Sequence, residues 1–382
     1  MLLPLLLATS LYALLTVAQT PKRTITKTDG LHFNIDGETA YFPGTNAYWL
    51  PFLKNNSDVD LVLDHMAQAG LRIVRTWGFN DVKTAPTDGT VWFQSFPSSG
   101  DPVINTGPTG LQRLDYIIRA AETRGLKLII PFVNNWADYG GMEAYYAYCI
   151  DNNSKVDKKE QWYRSAKCQA QYQKYARTII ERHKESTAVL AWELANEPRC
   201  KGCDTKVVTE WARETSKWIK SVDSKHLVAV GDEGFGVKVD GKAGDYSYSH
   251  GEGTDFASLV ALPDIDMGTF HLYPDHWNVT VAWGNSWIQH HAAVCVANNK
   301  PCLFEEYGVM ASEKCSQETG WQATALKTRG IAGDQYWQYG DTVSTGKTAD
   351  DKFTVYKDTA NWNCMVEAHG KNIKASKTAK EI

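Results

Sequence analysis

The sequence predicts an α/β fold, a single-domain (β/α)8 barrel of eight parallel strands alternating with helices. Three observations carry that prediction. Eight short apolar runs recur along the chain, each bounded by turn residues. Amphipathic helical patterns lie between them. The 382 residues contain no Ser/Thr/Pro-rich linker, short-period repeat or charge block that would divide them, and their length suits such a barrel.

The first element precedes the barrel. Leu2–Leu15 is almost wholly apolar and is followed by Thr16-Val17-Ala18, which reads as a secretory signal peptide over residues 1–18 although no Lys or Arg opens it. A membrane anchor would need about 20 apolar residues; Thr9, Ser10 and Gln19 interrupt this stretch. Residues 19–382 then form the domain, with a frayed Lys-rich tail expected after Gly370. The eight runs are Phe42–Trp49, Leu71–Trp77, Lys127–Val133, Val189–Asn196, Leu227–Gly234, Met267–Tyr273, Pro301–Gly308 and Gly333–Tyr339. Val59, Val62, Leu63 and Met66 mark a helix face before the second run, closed by Gly70. Leu111, Leu114, Ile117, Ile118 and Ala121 mark another before the third, closed by Gly125. Val208, Trp211, Trp218 and Ile219 mark a third before the fifth, with both Trp expected in the core. Eight such units fit closure better than an open sheet. A doubly wound dinucleotide-binding sheet would place a glycine-rich fingerprint after its first strand, and Gly44-Thr45-Asn46-Ala47 is not one.

Composition narrows the function. Forty Lys plus Arg against 44 Asp plus Glu give a formal charge of −4, which excludes a strongly basic nucleic-acid binder. The aromatic load is 14 Trp, 18 Tyr and 12 Phe, and flat amphipathic rings serve stacking on sugars. Three sequons, at Asn55, Asn152 and Asn278, accord with an exported, glycosylated chain. Eight cysteines, an even number, should pair in an oxidising compartment, and spacing alone leaves 105 connectivities open. Cys200-Lys-Gly-Cys203 lacks a second metal-binding half, so a local disulfide is the better reading.

In a barrel of this kind the reactive residues sit at the C-terminal ends of the strands. Those ends carry Arg75-Thr76-Trp77, Asn196-Glu197-Pro198-Arg199, His271-Leu272-Tyr273, Glu305-Glu306-Tyr307 and Tyr336-Trp337-Gln338. Two carboxylates on one face suit glycoside hydrolysis, where one protonates the leaving oxygen and the other attacks or activates water. Neither step calls for a cofactor.

The ordered set Asn196-Glu197-Pro198 and Glu306-Tyr307-Gly308 resembles glycoside hydrolase family 5 and its wider clan of barrels. The longer strings WGFND (77–81), WELANEPRC (192–200), GDEGFG (231–236), GEGTDF (251–256), TFHLYPDHW (269–277), FEEYG (304–308) and QYWQYGD (335–341) are similar to the secreted fungal endo-β-1,4-mannanases of that family, over nearly the whole mature chain. The resemblance implies a secreted enzyme that cuts internal β-1,4 bonds of mannan, galactomannan and glucomannan with retention. It implies Glu197 as acid/base, Glu306 as nucleophile and Asn196 as a contact to the 2-hydroxyl. Arg75, His271 and Tyr273 would frame the carboxylates, Trp337 would floor the cleaved subsite and Arg199 would reach a leaving-side mannose. Trp77 counts with them as a substrate-side residue. The implied disulfides are Cys149–Cys168, Cys200–Cys203, Cys295–Cys302 and Cys315–Cys364. The extra cellulose-binding module and linker frequent in that family are absent from the sequence. The partner expected is the β-mannan polysaccharide, met by a monomer, with no nucleic acid and no membrane.

Several positions have plainer readings. Neighbouring strand residues point to opposite faces, so only one of Glu305 and Glu306 should enter the site; spacing does not choose, and the resemblance favours Glu306. Glu193 shares parity with Glu197 but lies deeper, as a buried structural carboxylate. Arg72 reads as structural or exposed. His271, Asp275 and His276 lack the pattern of a metal site, and no metal is expected. Asp232 and Glu233 are at least as much structural as substrate-facing. Trp77, Trp136, Trp277 and Trp337 are the cleft candidates. The acid Glu197 is expected to have its pKa raised by the nearby nucleophile. The rival functions are an endo-β-1,4-glucanase with the same machinery, an exo-acting mannosidase, a non-catalytic carbohydrate-binding barrel and a membrane-anchored surface protein.

Overall fold

The computed structural model describes residues 22–242 and 244–378, so the signal-peptide reading of residues 1–18 lies outside the described residues. Eight parallel strands form one sheet: Phe42–Asn46, Ile73–Arg75, Lys127–Pro131, Val189–Glu193, Leu227–Ala229, Gly268–Leu272, Cys302–Tyr307 and Ile331–Tyr336. In chain order they lie side by side as 5-4-3-2-1-8-7-6. The seam between fifth and sixth is closed by backbone bonds from Asp266 N to Val228 O (2.9 Å) and from His271 N to Glu233 O (3.1 Å). The sheet is a barrel.

Each apolar run contains one strand, but the ladders are shorter than the runs. The fourth ends at Glu193, so Asn196 and Glu197 stand on the loop beyond it rather than on the strand. The eighth begins at Ile331, two residues before its run. The helix faces pack as patterned. Val59, Val62, Leu63 and Met66 are buried in Asn56–Gln68, and Leu111, Leu114, Ile117, Ile118 and Ala121 in Leu111–Arg124. Gly125 ends the latter in the left-handed region that its missing Cβ permits. In Lys206–Val222, Val208, Trp211 and Ile219 are buried. Trp218 is not a core residue: it is half-buried, and the Arg177 guanidinium lies 5.5 Å from its ring centroid.

Two features were not read from the sequence. A three-stranded antiparallel meander, Lys27–Asp29, His32–Ile35 and Glu38–Ala40, precedes the barrel. Its Phe33 and Ile35 join Ile73, Ile129, Leu190, Leu303 and Ala332 in one buried cluster, which plugs the N-terminal mouth and leaves the other end for the site. Its turn residue Asp36 accepts from Arg72 (3.1 Å) and Lys127 (2.8 Å), so Arg72 is structural. The tail after Gly370 is not frayed as far as it is described: His369–Thr378 is helical, because His369 bonds Asp334 (2.7 Å) and Ile373 is buried.

The disulfides are Cys149–Cys168, Cys200–Cys203, Cys295–Cys302 and Cys315–Cys364, the four implied by the resemblance. Among the described residues no helix is long and apolar enough to cross a membrane.

Candidate active site

The C-terminal ends of the strands open into a cleft of about 660 Å³. Glu197, Glu306, Asn196, Arg199, Tyr273, Trp77 and Trp337 line it. The chain reaches Glu197 through a left-handed turn (φ 49°), held by the bond from its N–H to Gly231 O (2.9 Å). Gly231 must be glycine there: a Cβ would stand 2.0 Å from Ala195 O. Such unfavourable backbone persists only where the surroundings over-determine it.

Arg75 and His271 do not line the cleft; both are fully buried beneath it and act on the carboxylates from below. Arg75 forks onto Glu193, Nη2 to Oε1 (2.6 Å) and Nε to Oε2 (2.9 Å), and its Nη1 donates to Glu306 Oε1. Its Nη2 also donates to Asn196 Oδ1 (2.7 Å). Tyr273 Oη donates to the other Glu306 oxygen (2.6 Å). Both oxygens of Glu306 thus accept from donors, a pattern that suits the carboxylate. Burial lifts this group above its ordinary value against the pull of His271 and Arg75. Asn196 Nδ2 gives one hydrogen to Asn134 Oδ1 (2.9 Å) and keeps the other for a ligand.

His271 Nδ1 lies 2.7 Å from Glu197 Oε1, and its Nε2 lies 3.3 Å from Glu305 Oε2. Burial disfavours its charge, but Glu306, Glu197 and Glu305 outweigh burial and hold it cationic well above the ordinary histidine range. The expectation that Glu197 would be raised is corrected. Burial does push it up, yet the hydrogen bond and charge of His271 prevail and bring it down to about 2.

Strict alternation would have turned Glu305 away from Glu306's side. Instead Glu305 reaches His271 beneath the cleft while Glu306 alone lines it. The ladder slips register between Phe304 and Tyr307 and again at Phe270–His271, and such a bulge re-aims side chains. Glu305 Oε1 lies 3.7 Å from Arg75 Nε, and burial raises the neighbouring Glu193 to about 8 against the pull of that guanidinium. Glu193 is thus the buried, hydrogen-bonded structural carboxylate that the sequence suggests, and it anchors Arg75.

The other residues sort clearly. Trp77, Trp136, Trp277 and Trp337 all line the cleft. Trp337 stacks on Tyr48 with centroids 5.5 Å apart, and its Nε1 donates to Asp351 (2.7 Å). Arg199 forks onto Glu233 (2.5 and 2.6 Å), which places Glu233 in the cleft wall. Asp232 is buried, and burial raises it to about 7. Asp275 turns away to accept from Met310 N (2.8 Å). Glu197, His271 and Glu306 bring possible ligand atoms within 4.8 Å of one another. The carboxylate oxygens among them accept from Arg75, Tyr273, Trp136 and His271, and the His271 nitrogens face carboxylates. Tyr48, Tyr139, Tyr246, Asp351 and Phe353 also line the cleft and were missed; they sit on loops without a motif, and only Tyr48, inside the first run, carried any signal. The asparagines of all three sequons are exposed, and Asn278 follows directly on cleft-lining Trp277.

The family model described as cellulase (glycosyl hydrolase family 5) matches residues 42–343. The chain belongs to glycosyl hydrolase family 5. Mannan endo-1,4-beta-mannosidase F of Aspergillus clavatus is 54% identical over 345 residues, covering 90% of this chain and 77% of that protein. Mannan endo-1,4-beta-mannosidase A of Hypocrea jecorina is 49% identical over 365 residues, covering 95% and 81%. Among solved structures, the endo-1,4-beta-mannanase of Rhizomucor miehei superposes with a TM-score of 0.82 at 36% identity, covering 92% of this family 5 chain and 100% of that one.

Proposed function

We propose that this chain is a secreted endo-β-1,4-mannanase that hydrolyses internal bonds of mannan, galactomannan and glucomannan by a retaining double displacement. The observation that carries the mechanism is the closeness of Glu197 and Glu306, whose facing oxygens lie within 4.8 Å. Retaining enzymes hold their carboxyls about 5–5.5 Å apart, whereas inverting ones leave about 6.5–9.5 Å for a water. In the first step a Glu306 oxygen bonds the anomeric carbon as the bond to the leaving sugar breaks, and that sugar's oxygen takes the Glu197 proton. In the second, Glu197 takes a proton from water, whose oxygen replaces Glu306 on the anomeric carbon. Arg75 and Tyr273 hold Glu306 ionised, Trp337 offers a stacking floor and the free Asn196 hydrogen meets a ring hydroxyl. The mannan specificity rests on the names borne by relatives at about half identity.

The test is reducing-sugar release from linear mannan and from carboxymethyl cellulose, for the native protein beside Glu306→Gln. The expected result is cleavage of mannan alone, reduced at least 10³-fold in the variant. Cleavage of cellulose instead would replace the substrate and keep the machinery. Cleavage of neither would leave a carbohydrate-binding barrel.

A further inference from the structure

Glu197 has two oxygens, and His271 occupies Oε1 from below. Oε2 is left to face the cleft. It already has a partner: Trp136 Nε1 donates to it at 2.6 Å. Trp136 is no ordinary packing residue. It is 41% exposed, one of the few large apolar side chains left open to solvent. Its indole lies over the cleft with the Arg199 guanidinium 4.9 Å from its centroid, and Arg199 is itself fixed by Glu233.

The loop that carries Trp136 is tied to the acid's own loop. Asn134 Oδ1 accepts from both Trp136 N (3.2 Å) and Asn196 Nδ2 (2.9 Å), and Asn135 N donates to Asn196 O (2.9 Å). Three successive residues with positive φ, Tyr139 (59°), Gly140 (88°) and Gly141 (51°), fold the loop back onto its own backbone, where a Cβ on Gly141 would stand 1.9 Å from Trp136 O. The backbone is held, while the indole is open to anything entering the cleft.

An N–H donor and an acidic proton compete for one carboxylate oxygen. The donor stabilises the ionised form. Bond cleavage needs Oε2 to carry a proton and present it to the leaving oxygen. We propose that Trp136 is a positioning residue that keeps Oε2 of Glu197 ionised in the empty cleft and surrenders it when a sugar occupies the leaving-group side, so that the acid is loaded only with substrate in place. This rests on the acid/base reading of Glu197. The charged and titratable groups facing Glu197 are His271 and Tyr273 from the sixth strand, Arg199 from its own loop, Glu233 after the fifth strand and Glu306 on the seventh. None of the carboxylates can donate to Oε2 as the indole does.

The experiment compares pH profiles of native protein and Trp136→Phe on mannopentaose. The kcat/KM profile reports the free enzyme and the kcat profile the complex. Removing the donor lets free Glu197 hold its proton to higher pH. The limb of kcat/KM that reports Glu197 therefore moves up by about one pH unit, the equivalent of one charge-assisted hydrogen bond, while the corresponding limb of kcat stays. Limbs that move together, or not at all, overturn the inference, because a residue that merely walls the cleft changes amplitude and not position. A second readout needs no Trp136 variant beyond assignment. In ¹⁵N-Trp-labelled Glu306→Gln protein, the Trp136 indole N–H resonance should lie at low field and move upfield on saturation with mannopentaose; a resonance that stays put overturns the inference. Glu197→Gln on mannan is the control for the underlying reading. If it retains native activity the acid/base assignment itself fails; if it is inactive while the Trp136 results are negative, only the present inference does.

Discussion

At the scale of single residues, two buried cations distribute charge between the two carboxylates. Arg75 and Tyr273 together hold Glu306, and His271 holds Glu197. Tyr273→Phe removes a 2.6 Å hydrogen bond that favours the ionised nucleophile. A bond to a charged group contributes about 1.5–3 kcal/mol, so kcat should fall roughly 10- to 100-fold. The sign for pH follows: without the donor Glu306 binds a proton more readily, and the limb of kcat/KM that reports Glu306 moves to higher pH. An unmoved limb would mean that Tyr273 does not act on Glu306. His271 gives a stability prediction. Its folded pKa is raised, so the stability it contributes is fully present below the unfolded value of about 6.5. That stability is lost as pH rises through the folded value. Glu305→Gln takes away one of the anions that raise it. In urea unfolding the gap between native and variant should be widest below about pH 6.5 and close as pH rises; a gap independent of pH contradicts the charge on His271. That carboxylates converge at the strand ends was legible from their positions, while the choice of Glu306 over Glu305 came from the family resemblance and not from spacing. The depression of Glu197 was not legible, since it depends on an imidazolium 2.7 Å away across the barrel.

At the scale of elements, hydrophobic period located the eight barrel strands and the patterned helices, because burial is what those patterns encode. It overran the strand ends. Residues 194–196 are apolar or amide and continue the run, while the ladder stops at Glu193 and the chain turns through Glu197 at φ 49°. Register was invisible for a similar reason. The slip between Phe304 and Tyr307 depends on what the neighbouring strand offers, and it brings Glu305 to His271 beneath the cleft against simple alternation. The N-terminal meander escaped because its strands are only three to four residues long. The disulfides differ in what they restrain. Cys315–Cys364 closes a separation of 49 residues and fastens the C-terminal segment to helix Cys315–Lys327, whereas Cys200–Cys203 closes a separation of three. Loop entropy gives about 4 kcal/mol for the first and about 1.6 kcal/mol for the second. Replacing each pair by serines should lower the unfolding free energy in that order, measured by guanidinium denaturation; the reverse order would show that the C-terminal segment stays docked without its tether.

At the scale of the whole molecule, the barrel separates stability from chemistry. The meander plugs one mouth with Phe33 and Ile35, and the opposite mouth carries the cleft. The aromatic excess divides between the two: Trp77, Trp136, Trp277 and Trp337 line the cleft, while Trp162, Trp192, Trp287 and Trp321 fill the core. The cleft-facing tyrosines and Asp351 come from loops, whose positions depend on the assembled barrel and not on local pattern. The proposed double displacement has Glu306 attack the sugar directly while Glu197 supplies and recovers the proton. The most direct test is proton NMR of the anomeric signal during the first minutes of mannopentaose cleavage, before mutarotation. A retaining displacement gives the β-anomer at the new reducing end first, with the α-anomer growing in later. Initial appearance of the α-anomer would mean that water, and not Glu306, attacks the anomeric carbon, and would contradict the account.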